Sequence, residues 1–312
     1  MSDFLSSSFT PDRSPLAGVE PVSRFANPLE KPDDQRLLTQ FLQHFSRRAG
    51  FGGVTPEAVV QQLRRQEQPS VELLEQITAA FSELPYENLT KILKQDTTDD
   101  IPAARRDPAE VLHDHIRFRT GGTCFSLTAT LLHLVRSLGF AAEPILADRR
   151  YGTDTHCALL VWINQQPHLI DPGYLIVRPI PLDAAQTTSI TTSFNEIVLK
   201  PESNGERLAL HTRTGNSATY RLTFKTSPVD DGQFLKAWDD SFAWDMMNYP
   251  VLTAVRDGQQ LYLQGDHFQV RTADSVHRQE ISSDEILRRI VDEFGLDAEI
   301  ANRALTVLAK GS

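Results

Sequence analysis

Arg117-Phe-Arg-Thr-Gly-Gly-Thr-Cys124-Phe-Ser-Leu-Thr-Ala-Thr-Leu-Leu-His-Leu-Val-Arg-Ser-Leu138-Gly139 places a cysteine at the start of a helix. Leu127, Leu131, Leu134, Val135 and Leu138 recur at three- and four-residue spacing, which predicts one buried helix face, and Gly139 supplies a left-handed stop. Gly121 and Gly122 free the chain to turn sharply before Cys124, so the sulfur falls among the unpaired amide N–H groups of the first turn. That environment favours thiolate. A thiolate attacks carbonyl carbon, which makes Cys124 a candidate nucleophile in need of a base. A single cysteine on an apolar helix face also serves as core filler, and on this stretch alone both readings stay open.

Upstream, Asp107-Pro108-Ala109-Glu110 forms a capping box with proline at the first helical position and leads a short helix into Arg119. Leu84-Pro85-Tyr86-Glu87-Asn88-Leu89 is a break whose polar pair is bracketed by hydrophobes, a pattern that ties loop backbone together. Helices are expected from Gln35 (Leu37, Leu38, Phe41, Leu42, Phe45), after Thr55-Pro56, and after Ser70 through Leu73, Leu74, Ile77 and Phe81. Residues 1–34, rich in Ser, Pro and Asp, read as an extended tail.

Beyond Gly139 the period becomes that of strands. Residues 142–147 and 156–163 read as strands, the second buried on both faces, and a turn at residues 164–167 returns the chain through 168–171. Further strands at 196–199, 207–212 and 218–225, separated by Ser/Asn/Gly turns, predict an antiparallel barrel or strongly curved sheet. Residues 233–249 are rich in aromatics and read as a linker helix plus a loop. A hairpin over 261–271 and a capping box at Ser282-Ser-Asp-Glu285, opening a helix toward Gly295, follow. The expected class is α+β: an extended tail (1–34), a helical part with Cys124 (35–140), an antiparallel β-barrel or curved sheet with His156 and Asp171 (141–228), and a linker helix followed by a hairpin and a helix (229–312).

The 312 residues carry a net charge of −10, which argues against nucleic acid or an anionic membrane as the main partner. The two cysteines, Cys124 and Cys157, form no CxxC or Cys/His cluster, so neither a disulfide framework nor a metal site is expected. Reduced cysteines fit the cytoplasm. A basic start and an apolar run near 18 residues are both lacking, so neither secretion nor membrane spanning is expected.

A cysteine nucleophile wants an imidazole to take its proton and a third group to orient the imidazole. Of nine histidines, His156 heads the strongest buried strand, and Asp171 ends the next. With a turn at 164–167, Asp171 would pair near Leu160, on the same face as His156 but about 13 Å along the strand. Twist, a bulge or another register must close that gap.

Four motifs in series carry a resemblance: Leu84-Pro-Tyr-Glu-Asn-Leu89, Arg119-Thr-Gly-Gly-Thr-Cys124-Phe125, Thr155-His156-Cys-Ala-Leu-Leu-Val161 and Leu169-Ile-Asp171-Pro-Gly173-Tyr174. Together they resemble the arylamine N-acetyltransferase family over about residues 35–300. The resemblance implies a helical part, a β-barrel, an α/β lid and a papain- or transglutaminase-like Cys-His-Asp core. It also implies a ping-pong reaction in which cysteine takes an acetyl group from acetyl-CoA and passes it to an aromatic amine or hydrazine, with no metal.

Carried over, Cys124 would be the acylated nucleophile, His156 its base, Asp171 the orienting group, and Phe125 a lining of the acceptor pocket. Arg119 would be structural. The family usually carries an acidic residue two positions past the cysteine and an asparagine four past; here stand Ser126 and Thr128. Asp245-Met-Met-Asn-Tyr-Pro250 replaces the family's Ser/Thr-rich stretch near the lid. An amide synthase using a carrier- or polyketide-bound donor, and a non-catalytic relative with an inert cysteine, are the alternatives. Cys157 falls on the strand face opposite His156 and reads as core. Arg149 and Arg150 beside Tyr151 read as a charged loop, with CoA phosphates as the other partner.

Overall fold

The computed structural model describes residues 70–214 and 217–311, together with 28, 29, 40, 41 and 43. The tail and the two helices expected before Ser70 therefore lie outside the described residues, apart from Leu29 and Phe41, which pack into the core. Helix α1 (Val71–Phe81) starts where the Ser70 hydroxyl accepts from the Leu73 N–H, and buries Leu73, Leu74, Ile77 and Phe81. Strand β1 (Tyr86–Glu87) and helices α2 (Leu89–Asp96), α3 (Ile101–Ala104) and α4 (Pro108–Phe118) follow. The Asp107/Glu110 capping box opens α4, and Arg119 ends it in the left-handed region at φ 61°.

Helix α5 (Cys124–Ser137) is buried at every residue from Cys124 to Val135, not on one face as its leucine spacing predicted. It is wrapped by α1 and α4 and by β2 (Ala141–Arg149) and β3 (Gly152–Ile163). Its hydroxyl residues tolerate this because Ser126 donates to the Thr123 carbonyl and Thr130 to the Ser126 carbonyl.

Strands β4 (Gln166–Asp171), β5 (Ile176–Pro181), β6 (Thr188–Thr191), β7 (Glu196–Glu202), β8 (Arg207–Thr214) and β9 (Ser217–Lys225) complete an eight-stranded antiparallel sheet. Its order is β5-β4-β3-β2-β9-β8-β7-β6. The sheet curls around Ala158, Leu160, Leu169, Ile197, Leu210, Leu222 and Phe224. Its edge strands β5 and β6 do not pair with each other, so it is a half-barrel, where the sequence pattern predicted a barrel. Pro179 and Pro181 in β5 suit an edge, because proline has no N–H to offer a further neighbour.

Helix α6 (Asp231–Asp240) leads to β10 (Val251–Arg256), β11 (Gln259–Gln264), β12 (His267–Arg271) and β13 (Val276–Glu280), then α7 (Ser283–Asp292) and α8 (Ala298–Gly311). The second sheet runs β1-β10-β11-β12-β13, so its first strand comes from the loop before α2. Leu252, Leu263, Phe268, Ile290, Phe294 and Ile300 pack there with Leu89 and Leu93 of α2. Among the described residues no helix is long and apolar enough to cross a membrane.

Candidate active site

The turn into Cys124 is held by the loop before α2. Glu87 N–H donates to the Gly122 carbonyl at 3.0 Å, and Gly122 N–H donates to the Pro85 carbonyl at 3.3 Å. A β-carbon on Gly121 would collide with that same Pro85 oxygen, so the close approach requires glycine. Cys124 is thereby the first residue of α5 and is only 1% exposed.

His156 and Asp171 meet: Nε2 donates to Oδ2 at 2.6 Å, with both side chains fully buried. The expected gap closes through register. The β3–β4 turn has two residues, Asn164 and Gln165, at φ 48° and 66°, and Ile163 pairs with Gln166. Leu159 then faces Ile170, and continuing that ladder sets Asp171 opposite Ala158, two residues from His156. The predicted four-residue turn placed it four away.

The Cys124 thiol is held well below its ordinary value, first by a hydrogen bond from the Cys157 thiol, then by the hydrogen bond and charge of His156 and the charge of Arg149. Burial opposes all of these. His156 is pushed up to about 9: burial disfavours its charge, but Asp171 outweighs burial by charge and hydrogen bond, with Cys124 adding a further hydrogen bond. Burial, then the Cys124 sulfur, push Cys157 up, so it stays a thiol and a donor. Cys157 lies in the core as predicted, and it also touches the reactive sulfur, which parity alone did not reveal. The arrangement sets a sulfur of lowered pKa beside an imidazole of raised pKa that a carboxylate holds by a hydrogen bond.

The turn at Pro172–Tyr174 covers this pair. A β-carbon on Gly173 would lie 2.8 Å from Cys124 Cβ and 3.1 Å from His156 Cε1. Asp171 Oδ1 accepts from the Tyr174 N–H at 2.9 Å, and the Tyr174 ring stands edge-on to His156. Phe125 is 0% exposed, its ring packed on Phe234, Trp238 and half-buried Trp244.

Several residues escaped the sequence pattern. Arg106 donates to Asp114 at 2.6 Å, to Thr90 Oγ1 at 2.7 Å and to the Gly121 carbonyl at 2.5 Å, and lies 3.7 Å from Glu87. It is the buried cation behind the nucleophile turn; the available cue was Glu87, a carboxylate amid hydrophobes that requires a partner. Lys91 donates to Ser241 O and Oγ, stands 4.1 Å from the Phe242 ring centroid, and is lowered by burial to about 7. Asn88, by contrast, ties loop backbone as its place in the sequence predicted: Nδ2 donates to the Met246 and Tyr249 carbonyls, and Oδ1 accepts from Val251 N–H. Arg149, predicted as part of a charged loop, turns inward instead and donates to His156 Nδ1 at 3.1 Å.

A family model described as N-acetyltransferase matches residues 70–303, well over half of the chain. No curated protein matches the sequence. The fold is similar to the arylamine N-acetyltransferase from Mycobacterium abscessus (TM-score 0.66, 17% identity, covering 83% of this chain and 96% of that one). It is also similar to that of Mycobacterium marinum in complex with CoA (0.65, 16%, 80% and 97%). A third likeness is to the enzyme of Salmonella typhimurium (0.63, 20%, 81% and 97%). Motif series, fold and family model agree: the chain is a transferase that belongs to the arylamine N-acetyltransferase family.

Proposed function

We propose that the protein is an acetyl-CoA-dependent N-acetyltransferase of the cytoplasm that works by a ping-pong mechanism through an acetyl-Cys124 thioester, with arylamines and arylhydrazines as acceptors. The observation that supports this most is the buried relay from Cys124 through His156 to Asp171. In the first half-reaction the Cys124 thiolate attacks the thioester carbonyl carbon and His156 protonates the departing CoA sulfur. In the second, His156 takes a proton from the attacking amine and Cys124 leaves. Asp171 fixes the imidazole so that Nδ1 faces the reacting atoms. The backbone N–H of Cys124, at the positive end of α5, would donate to the oxyanion. Phe125 would act by holding the aromatic wall that ends in Trp244, against which an aryl acceptor would stack.

A second reading keeps the thioester and changes the donor to a carrier- or polyketide-bound acyl group. It is favoured by residues 245–250, whose backbone is tied down by Asn88. Intact mass after mixing with acetyl-CoA separates the readings. An acetyl adduct lost in Cys124→Ser supports the first. No adduct, with fast iodoacetamide labelling of Cys124 near neutral pH, supports the second. Neither result would mean an inert cysteine.

A further inference from the structure

Arg149 closes β2 two residues past Ala147, which stands directly across the ladder from His156, and the register shifts between the two. Its guanidinium is turned into the site: Nη2 donates to His156 Nδ1 at 3.1 Å and Nη1 to the Tyr151 hydroxyl at 2.7 Å. A guanidinium only donates, and a carboxylate only accepts. Between Arg149 and Asp171, therefore, a neutral His156 is held with its proton on Nε2 and a lone pair on Nδ1. Arg149 is half-buried, and among the described residues no carboxylate lies in ion-pair range of it. The groups that the Arg149 charge faces are Tyr151, to which it donates, then the Cys124 sulfur and Tyr86; of these the sulfur is the one whose pKa is lowered.

The geometry points to Arg149 as a positioning residue of the transfer chemistry, holding His156 Nδ1 unprotonated while Cys124 is acylated and facing the sulfur with a positive charge when Cys124 is a thiolate. This rests on the thioester reading above. When Cys124 is acetylated it is neutral, and Asp171 alone would keep His156 protonated and useless as a base. Arg149 acts against Asp171, lowering the affinity of His156 for its second proton. The amine lone pair then forms the N–C bond while the carbonyl π pair moves to oxygen, and Nδ1 takes a proton from nitrogen. The oxygen pair re-forms the carbonyl, the C–S bond breaks, and sulfur keeps the bonding electrons as thiolate. The guanidinium passes from Nδ1 to sulfur as Nδ1 gains its proton. The other groups facing the pair are Asp171 of β4, Cys157 of β3, Tyr86 of β1, Tyr174 of the covering turn and Lys91 of α2, whose ammonium is already held by Ser241.

The test compares the full-length protein with Arg149→Met, Arg149→Gln and Arg149→Lys. One arm follows iodoacetamide alkylation of Cys124 against pH without any acyl donor. The other acetylates Cys124 with p-nitrophenyl acetate and follows single-turnover transfer to phenylhydrazine against pH. The neutral variants should move the alkylation midpoint and the rising limb of transfer upward by about one pH unit, making transfer about tenfold slower near pH 7. Arg149→Lys should recover most of that loss. Unshifted profiles in both neutral variants would overturn the proposal, as would a change confined to the KM for acetyl-CoA, which would make Arg149 a donor contact. Either neutral variant suffices should the other fail to fold. Failure of the thioester reading shows separately, as absence of acetyl on wild-type Cys124, while the alkylation arm still reports on Arg149.

Discussion

His156 Nε2 and Asp171 Oδ2 are 2.6 Å apart because the hairpin joining their strands turns in two residues. A register longer by one residue would carry Asp171 to the other face of β4. Replacing Asp171 by asparagine keeps the volume and removes the charge that raises His156. Acylation of Cys124, measured in a single turnover with acetyl-CoA, should slow on the order of 10³-fold to 10⁴-fold while the fold survives. A loss below tenfold would show that the carboxylate does not orient the base.

The thiolate–imidazolium pair has a signature in stability against pH. His156, raised from 6.5 to about 9, contributes stability that is present below 6.5 and lost as pH rises through about 9. Cys124, lowered from 9.0, contributes stability that is present above 9.0 and lost as pH falls through its folded value. Between 6.5 and 9.0 the folded pair and the unfolded pair each hold one proton, so the two slopes cancel. Removing the thiol by Cys124→Ala leaves the histidine slope alone. Its Tm should fall from pH 6.5 upward relative to wild type, and parallel curves would contradict the ion pair.

Gly173 is the close-packing point of the covering turn. In Gly173→Ala the new methyl would press on Cys124 Cβ and His156 Cε1 and force sulfur and imidazole apart. Misplacement by about 1 Å costs on the order of 10²-fold in rate. The expected result is that loss in kcat with KM for acetyl-CoA little changed; an active variant would mean that the turn shifts freely.

Cys157, held as a thiol by burial, donates toward the Cys124 sulfur and lowers its pKa. Cys157→Ala should raise the pH midpoint of Cys124 alkylation, and Cys157→Ser, which keeps a donor, should raise it less. Identical midpoints in all three proteins would show that the second thiol is filler.

Arg106 neutralises Asp114 and stands beside Glu87, all of them buried. Arg106→Met would strand those carboxylates at a cost of about 3–5 kcal/mol. Urea denaturation should show that loss in the midpoint, larger at pH 8 than at pH 5, where protonation of the stranded carboxylates becomes cheaper. A midpoint near wild type would place the stability of the turn elsewhere.

Much of this arrangement could be read from the chain. The capping box at Asp107, the Gly-Gly turn before Cys124 and the alternation through β3 are local signals, written within a few residues of the feature they produce. What escaped depends on distance in sequence. The β3–β4 register hangs on whether Asn164 and Gln165 both adopt positive φ, a choice settled by twist across two strands. Strands β5 and β6 were missed because prolines in one and half-exposed hydroxyls in the other mimic loop. Arg149 and Cys157 looked like surface charge and filler because their partner, the Cys124 sulfur, lies on another element.

Asn88 ties its own backbone and side chain to residues 246–251, one step along the chain from Glu87, which grips Gly122. An acceptor stacked on Trp244, as proposed, would bear on the same short strap that seats the sulfur. On that reading, taste for substrates and readiness of the sulfur would share one tether, and a substitution at residues 246–251 would also be felt at Cys124.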